Sequence, residues 1–313
     1  LSALELSDLD RRIIAHLQQD GRKPYIDIAR EEDVTEKTVR ARVRQLIEAH
    51  SIRIVALCTP AAMGYAACAM VGLRASPGVN EAQLTEQISK LAAVDYVTLS
   101  YGRYNLLVEI LARDDKELRR ILQEDLGSLP GIRDLEVFPY HSVYYQQAAT
   151  SLSGARPSNR GVLDKPLSEF DRSLARALSE DGRMSFRAVA EQTSASEAKV
   201  RQRLQDMIAD GQMQILALVN PLGLSQVKVA WLAIKAGEGQ SLRELAARLA
   251  QENHISYIAI CAGRYDIFAE IISPPGTDLL DLIDSGIRPL KGVRELEIFP
   301  YSSLHYKRLT PPL

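Results

Sequence analysis

Several signals are missing from these 313 residues. No apolar run approaches the roughly 20 residues that a membrane-spanning helix needs; the longest, around 65–73, falls far short, and no charged-then-apolar leader precedes the first patterned segment. Membrane insertion is not expected. Cysteine is scarce: Cys58, Cys68 and Cys261 are odd in number and show no CxxC spacing. They read as small buried residues of a reducing cytoplasm, not as a disulfide framework or a zinc site. Neither sign of charge dominates, with 38 Lys and Arg against 40 Asp and Glu. No HExxH, GxSxG, P-loop or GxGxxG spacing occurs, and His16, His50, His141, His254 and His305 are scattered. No catalytic residue, metal or cofactor is therefore expected. What remains is a globular composition, 46% apolar and 25% charged.

The chain repeats itself once. Leu6-Ser7-Asp8-Leu9-Asp10 returns as Leu167-Ser168-Glu169-Phe170-Asp171, Gly102-Arg103-Tyr104-Asn105 as Gly263-Arg264-Tyr265-Asp266, and Phe138-Pro139-Tyr140 as Phe299-Pro300-Tyr301, always at an offset of 161. That period is too long for a solenoid, whose units run roughly 20–50 residues. Each copy is long enough to bury its own core, so any site should occur twice.

Each copy opens with three short helices. Ser7 and Ser168 with Asp10 and Asp171 three positions on form capping-box patterns, and Leu9, Ile13 and Leu17 recur on one face as do Phe170, Leu174 and Leu178. Gly21 and Gly182 are expected to close this helix in the left-handed conformation. A second helix carries Tyr25, Ile28 and Ala29, or Phe186, Val189 and Ala190. A third starts at Thr35 or Ser196, with Val39, Val43, Leu46 and Ile47, or Val200, Leu204, Met207 and Ile208, as its buried stripe. Its other face carries Lys37, Thr38, Arg40, Arg42 and Arg44 in the first copy and Lys199, Arg201, Gln202, Arg203 and Gln205 in the second. Arg and Lys can meet guanine, Gln can meet adenine, and further cations can neutralise phosphates. With the extended stretches 52–57 and 213–218 that follow, each opening reads as a winged helix-turn-helix. Asp8, Asp10, Asp27, Glu31 and Glu32 lie mostly on the first helices and the approach to the turn, whereas the cations gather on the third, so the local field there can be positive although the chain is not.

The rest of each copy reads strand, helix, strand, strand, helix, strand. Strands are expected near 67–73, 96–101, 105–111 and 133–138 and again near 227–234, 256–261, 266–272 and 294–299, with helices near 81–91, 115–126, 241–250 and 278–286. This is a ferredoxin-like split βαβ pattern, with helices on one face only. The open face needs a cover, and a second such sheet provides one. The fold class expected is α+β, in two tandem copies of a winged helix-turn-helix domain followed by a βαββαβ domain. The division expected is 1–58, 59–149, a Ser/Gly/Pro-rich linker at 150–166, 167–219 and 220–313.

The opening Leu-x-x-x-Asp with Asp-Gly-Arg after the first helix, the Val-Arg-x-Arg-Val/Leu run at 39–43 and 200–204, and Gly-Arg-Tyr-Asn/Asp between the second and third strands resemble the Lrp/AsnC family of prokaryotic transcription regulators. The resemblance covers both copies and implies double-stranded DNA as a partner, self-association through the sheets, and regulation by a small molecule, most often an amino acid. By position it implies DNA contact from Thr35, Lys37, Thr38, Arg40, Arg42, Arg44, Ser196, Lys199, Arg201, Gln202, Arg203 and Gln205. The effector hairpins it implies are Gly102, Arg103, Tyr104 and Asn105, and Gly263, Arg264, Tyr265 and Asp266. Asp266 can pair with an ammonium where Asn105 offers a weaker amide, so the two hairpins are not equivalent. Turn chemistry alone also explains these residues. Two alternatives share the architecture: a fused heme-pathway decarboxylase of the siroheme type, and an architectural DNA-binding protein without an effector.

Overall fold

The computed structural model describes residues 5–146 and 166–306. The expected linker lies, but for its last residue, outside the described residues. The first copy opens with α1 (Asp8–Gln19), α2 (Tyr25–Glu31), α3 (Glu36–Glu48) and β1 (Ile52–Leu57). It continues with β2 (Ala67–Ala75), α4 (Glu81–Ser89), β3 (Val94–Ser100), β4 (Leu106–Ala112), α5 (Asp115–Arg120) and β5 (Ile132–Gln146). The second copy repeats the order with α6 (Glu169–Glu180), α7 (Phe186–Gln192), α8 (Glu197–Ala209) and β6 (Gln214–Val219). Then follow β7 (Lys228–Ala236), α9 (Leu242–Leu249), β8 (Ile255–Cys261), β9 (Ile267–Ser273), α10 (Leu279–Leu282) and β10 (Val293–Tyr306). Both α5 and α10 run on into a π-helical turn, Ile121–Leu126 and Ile283–Ile287.

Both capping boxes form, Ser7 with Asp10 and Ser168 with Asp171. Gly21 and Gly182, however, do not adopt positive φ. Each helix already ends at an extended Asp, Asp20 or Asp181, and the glycines serve close approach instead. A Cβ at Gly21 would stand 2.8 Å from the Leu216 backbone, and one at Gly182 3.0 Å from the Val55 amide. Between the second and third helices the left-handed residues are Asp33 and Ser194, and after the third helices His50 and Gly211. Ile28, Val39, Val43 and Leu46 are buried with their counterparts Val189, Val200, Leu204 and Met207. Ile47 and Ile208, expected in that stripe, are 41% and 44% exposed, because the helix turns their positions past the edge of the core.

Each wing is a single strand whose partner is the other copy's wing. β1 and β6 pair antiparallel, and the ladder matches Val55 with Leu216, the same position in the two copies. A pseudo-twofold axis therefore passes through that pair. Gly21 N–H donates to Ile215 O and Gly182 N–H to Ile54 O, both at 2.8 Å. Arg22 reaches Gly182 O and Met184 O, while Arg183 reaches Gly21 O and Lys23 O. One apolar core spans both helical units.

The two ferredoxin-like sheets close on each other in one barrel, in the order β10-β3-β4-β2-β5-β8-β9-β7. The expected last strands, 133–138 and 294–299, continue through Pro139 and Pro300. The extension of β5 pairs with β8 and that of β10 with β3. Proline lacks the amide donor, and each sits where its strand passes from one sheet to the other, a position where a bend is accommodated. Crossing over removes the sheet edges that would otherwise stay unpaired. The apolar faces meet around Met70, Tyr104, Phe138, Trp231, Phe268 and Phe299, while α4 and α5, or α9 and α10, cover the outer faces.

Candidate functional site

Thr35 and Ser196 cap the third helices, accepting from the amides of Thr38 and Lys199. Arg40 pairs with Glu36 at 2.5 Å and lies over the Tyr25 ring at 5.3 Å. Arg201 pairs with Glu197 at 3.0 Å and lies over Phe186 at 4.7 Å. These pairs are one helical turn apart and stay in water, so they cost little to release. Lys37, Arg44, Lys199 and Gln205 are exposed. Arg44 stands 3.8 Å from Glu48, and the Lys199 ammonium lies 4.4 Å from the Phe170 ring centre. Gln202 donates to Asp206 at 2.9 Å.

Arg42 and Arg203 are placed differently. Arg42 donates to both carboxylate oxygens of Asp10, at 2.8 and 2.6 Å, and Arg203 to those of Asp171, at 2.6 and 2.8 Å. Burial alone would raise these two carboxyls. The arginines and the capping serines outweigh it and hold both below the ordinary carboxylate value. Each arginine therefore ties the third helix to the first, and neither is a free cation. The sequence places the pair 32 residues apart, which hides it; the recurrence of both partners at the same offset was the available signal.

The two hairpins lie at the seam between the copies. Gly102 and Gly263 take φ of 126° and 131°. A Cβ there would also meet the Phe299 or Phe138 ring, at 3.4 and 3.2 Å. Arg103 pairs with Glu297 at 3.3 Å and Arg264 with Glu136 at 3.1 Å, each reaching the other copy. Tyr104 and Tyr265 are buried. Their hydroxyls donate to Glu136 and Glu297, and burial with those carboxylates pushes both phenols up.

Asn105 accepts from the Ala75 amide at 2.9 Å and donates to Glu81 at 2.5 Å. Asp266 accepts from the Ala236 amide at 2.8 Å and from the Lys235 ammonium at 2.7 Å, and that ammonium also reaches Gly263 O at 3.1 Å. The carboxylate expected to receive an effector's ammonium already holds one from the chain.

A second constellation was not anticipated. Glu109 is buried in β4 and accepts from Tyr140 at 3.0 Å and Tyr257 at 2.7 Å, one phenol from each copy. Glu270 accepts from Tyr301 at 2.6 Å, Tyr96 at 2.5 Å and Ser256 at 2.5 Å. Burial raises the Glu109 carboxyl, Tyr257 and Tyr140 oppose this, and Glu270 adds to it. Trp231 packs edge-on against both Tyr96 and Tyr257. The signal for these groups was a glutamate at the same place in two otherwise apolar strands, 106–112 and 267–273. Elsewhere burial pushes the thiols of Cys58, Cys68 and Cys261 up to about 12, so these are poor nucleophiles. Among the described residues no group of three or more His, Cys, Asp or Glu could hold a metal ion, and no helix is long and apolar enough to cross a membrane.

Paired helix-turn-helix units on a doubled ferredoxin-like barrel define a helix-turn-helix regulator with its dimer folded into one chain. The family models agree with that class: an AsnC-type helix-turn-helix domain matches residues 6–47 and again 167–208, and an Lrp/AsnC ligand binding domain matches 68–149. An HTH-type transcriptional regulator of Pyrococcus abyssi is 37% identical over 134 residues, which is 42% of this chain and 84% of that protein. One of Pyrococcus horikoshii is 34% identical over the same length and shares. The chain belongs to the Lrp/AsnC family of transcriptional regulators. Over its whole length it is also similar in fold to a siroheme decarboxylase, with a TM-score of 0.62 and 15% identity across 97% of this chain and 94% of that one.

Proposed function

We propose that the chain regulates transcription in the cytoplasm by binding duplex DNA through α3 and α8 together, and that its barrel responds to a small-molecule effector of the amino-acid class. The observation that carries the reading is the twofold pair of outward-facing third helices. A helix-turn-helix dimer presents two recognition helices about a dyad, and here the dyad at Val55 and Leu216 relates two helices of one chain. Lys37, Arg40, Arg44, Lys199, Arg201, Gln202 and Gln205 supply the contacts, with Thr35, Thr38 and Ser196 at the helix starts. Arg42 and Arg203 support them from behind.

An effector at the hairpins would work on the seam between the copies, where Arg103 and Arg264 cross to opposite carboxylates. At Asp266 it would have to displace Lys235, whereas near Asn105 the carboxylate within reach is Glu81. The hairpins would therefore answer to different ligands or with different affinity.

The decarboxylase reading rests on the likeness of fold. A tetrapyrrole bearing carboxylates calls for cations, whereas the ionisable groups between these sheets include the buried Glu109 and the half-buried Glu270. That chemistry favours the regulator. The test is fluorescence anisotropy of a labelled duplex from upstream of the chain's own gene, titrated across salt concentrations and with a panel of amino acids. Binding that falls steeply with salt and shifts with one amino acid supports the proposal. Absence of binding together with specific absorption changes on adding a tetrapyrrole would replace it with the enzyme.

A further inference from the structure

Comparing α3 with α8 position by position separates what the fold needs from what it leaves free. The buried positions keep their character: Val39 and Val200, Val43 and Leu204, Leu46 and Met207. The braces are kept too, Arg42 with Asp10 and Arg203 with Asp171, as are the exposed cations Arg40 and Arg201 with their glutamates and aromatic rings. The exposed Ile47 and Ile208 are also alike, but most other positions on the outward face differ. Lys37 faces Ala198, Thr38 faces Lys199, Ala41 faces Gln202, Arg44 faces Gln205 and Glu48 faces Ala209.

Divergence confined to the outward face is not a packing requirement, because those side chains carry none of the core. Nor can it be averaged between subunits. In a homodimer both helices would change together, but here each is a separate stretch of the same chain. The β1–β6 ladder and the reciprocal Arg22 and Arg183 contacts hold the two at one fixed relation.

We propose, on the strength of the DNA-binding reading above, that one chain recognises one operator with two unlike half-sites and so sits on it in a single orientation. Arg40 and Arg201, common to both helices, serve the phosphates of each half-site, where no sequence is read. Arg44 and Gln205 are specificity-determining residues: Arg44 meets guanine O6 and N7 in one half-site, and Gln205 meets adenine N6 and N7 at the corresponding place in the other. Because both readers lie on one chain, occupancy follows the concentration of chains to the first power, with no prior dimerisation.

The test is selection of bound sites from a random duplex pool by the full chain and by two variants, Gln205→Arg and Arg44→Gln. The wild-type chain is expected to enrich non-palindromic sites. Gln205→Arg should move one half-site from adenine to guanine, and Arg44→Gln should do the reverse in the other. Each variant should lose about 5- to 150-fold in affinity for the wild-type operator, the equivalent of a lost bidentate base contact. Palindromic sites for the wild type overturn the proposal, as does an unchanged preference in both variants. Binding that is salt-dependent but enriches no sequence also overturns it while leaving DNA binding intact. Absence of binding at any salt would remove the regulator reading itself.

Discussion

Replacing Arg42 with alanine tests whether that residue serves the fold or the DNA. Asp10 is 3% exposed at its side chain and Arg42 34%, so the deletion strands a buried carboxylate with only Ser7 for company. Breaking a fully buried pair costs about 3–5 kcal/mol, and an exposed pair no more than about 1 kcal/mol. With one partner buried and the other a third in water, Arg42→Ala is expected to cost about 2–3 kcal/mol, a large share of a typical domain's stability. Arg40→Ala, which removes an exposed pair, should stay within about 0.5 kcal/mol.

Urea unfolding followed by circular dichroism reads the difference as a lower midpoint at unchanged slope. The sign with pH follows from Asp10 being held below its ordinary value. Its contribution is full above the unfolded carboxyl value of about 3.9 and is lost as pH falls through the lower folded value. Arg42→Ala should therefore narrow its gap to the wild type in acid. Arg203→Ala should behave alike through Asp171. An Arg42→Ala chain as stable as wild type but unable to bind DNA would refute this reasoning and return Arg42 to the DNA surface.

Three further outcomes follow from the same geometry. Gly21→Ala puts a Cβ 2.8 Å from the Leu216 backbone and should cost about 1–3 kcal/mol while weakening DNA binding, whereas an unperturbed variant would mean that the helical units do not dock as described. Glu109→Gln keeps an acceptor for Tyr140 and Tyr257 but removes a carboxyl whose folded value is raised. The wild-type carboxyl contributes most at low pH and loses that contribution as pH rises through the folded value, so the variant should gain on the wild type with increasing pH, and a constant difference would contradict it. Proteolytic cutting within 153–165 should leave the halves associated through β1–β6, β5–β8 and β10–β3; two separate monomers on a sizing column would argue against the single-chain dimer.

Local pattern carried the sequence reading as far as local interactions decide the structure. Helix caps at Ser7 and Ser168 and the order of elements in each sheet depend on residues near each other in the chain, the duplication is visible by comparing the sequence with itself, and all were legible. Partners across the dyad were not. Nothing in 52–57 states that its pair is 214–219, and nothing around Pro139 states that the strand continues into the other sheet. Gly21 illustrates the limit well: a glycine after a helix reads as a left-handed cap, but what it accommodates is a backbone nearly 200 residues away. Among the expected DNA contacts, the alternation of charge on α3 could not separate Arg40, which faces water, from Arg42, which faces Asp10. Asp266 looked available because Lys235 lies in another strand.

Hydroxyl-radical footprinting of a bound duplex tests most directly whether both third helices of one chain meet the same DNA. The wild-type chain is predicted to protect two patches about one helical turn, or a whole number of turns, apart. Arg40→Ala with Arg44→Ala should weaken one patch, and Lys199→Ala with Arg201→Ala the other. A single protected patch, or loss of the same patch in both variants, would contradict the account.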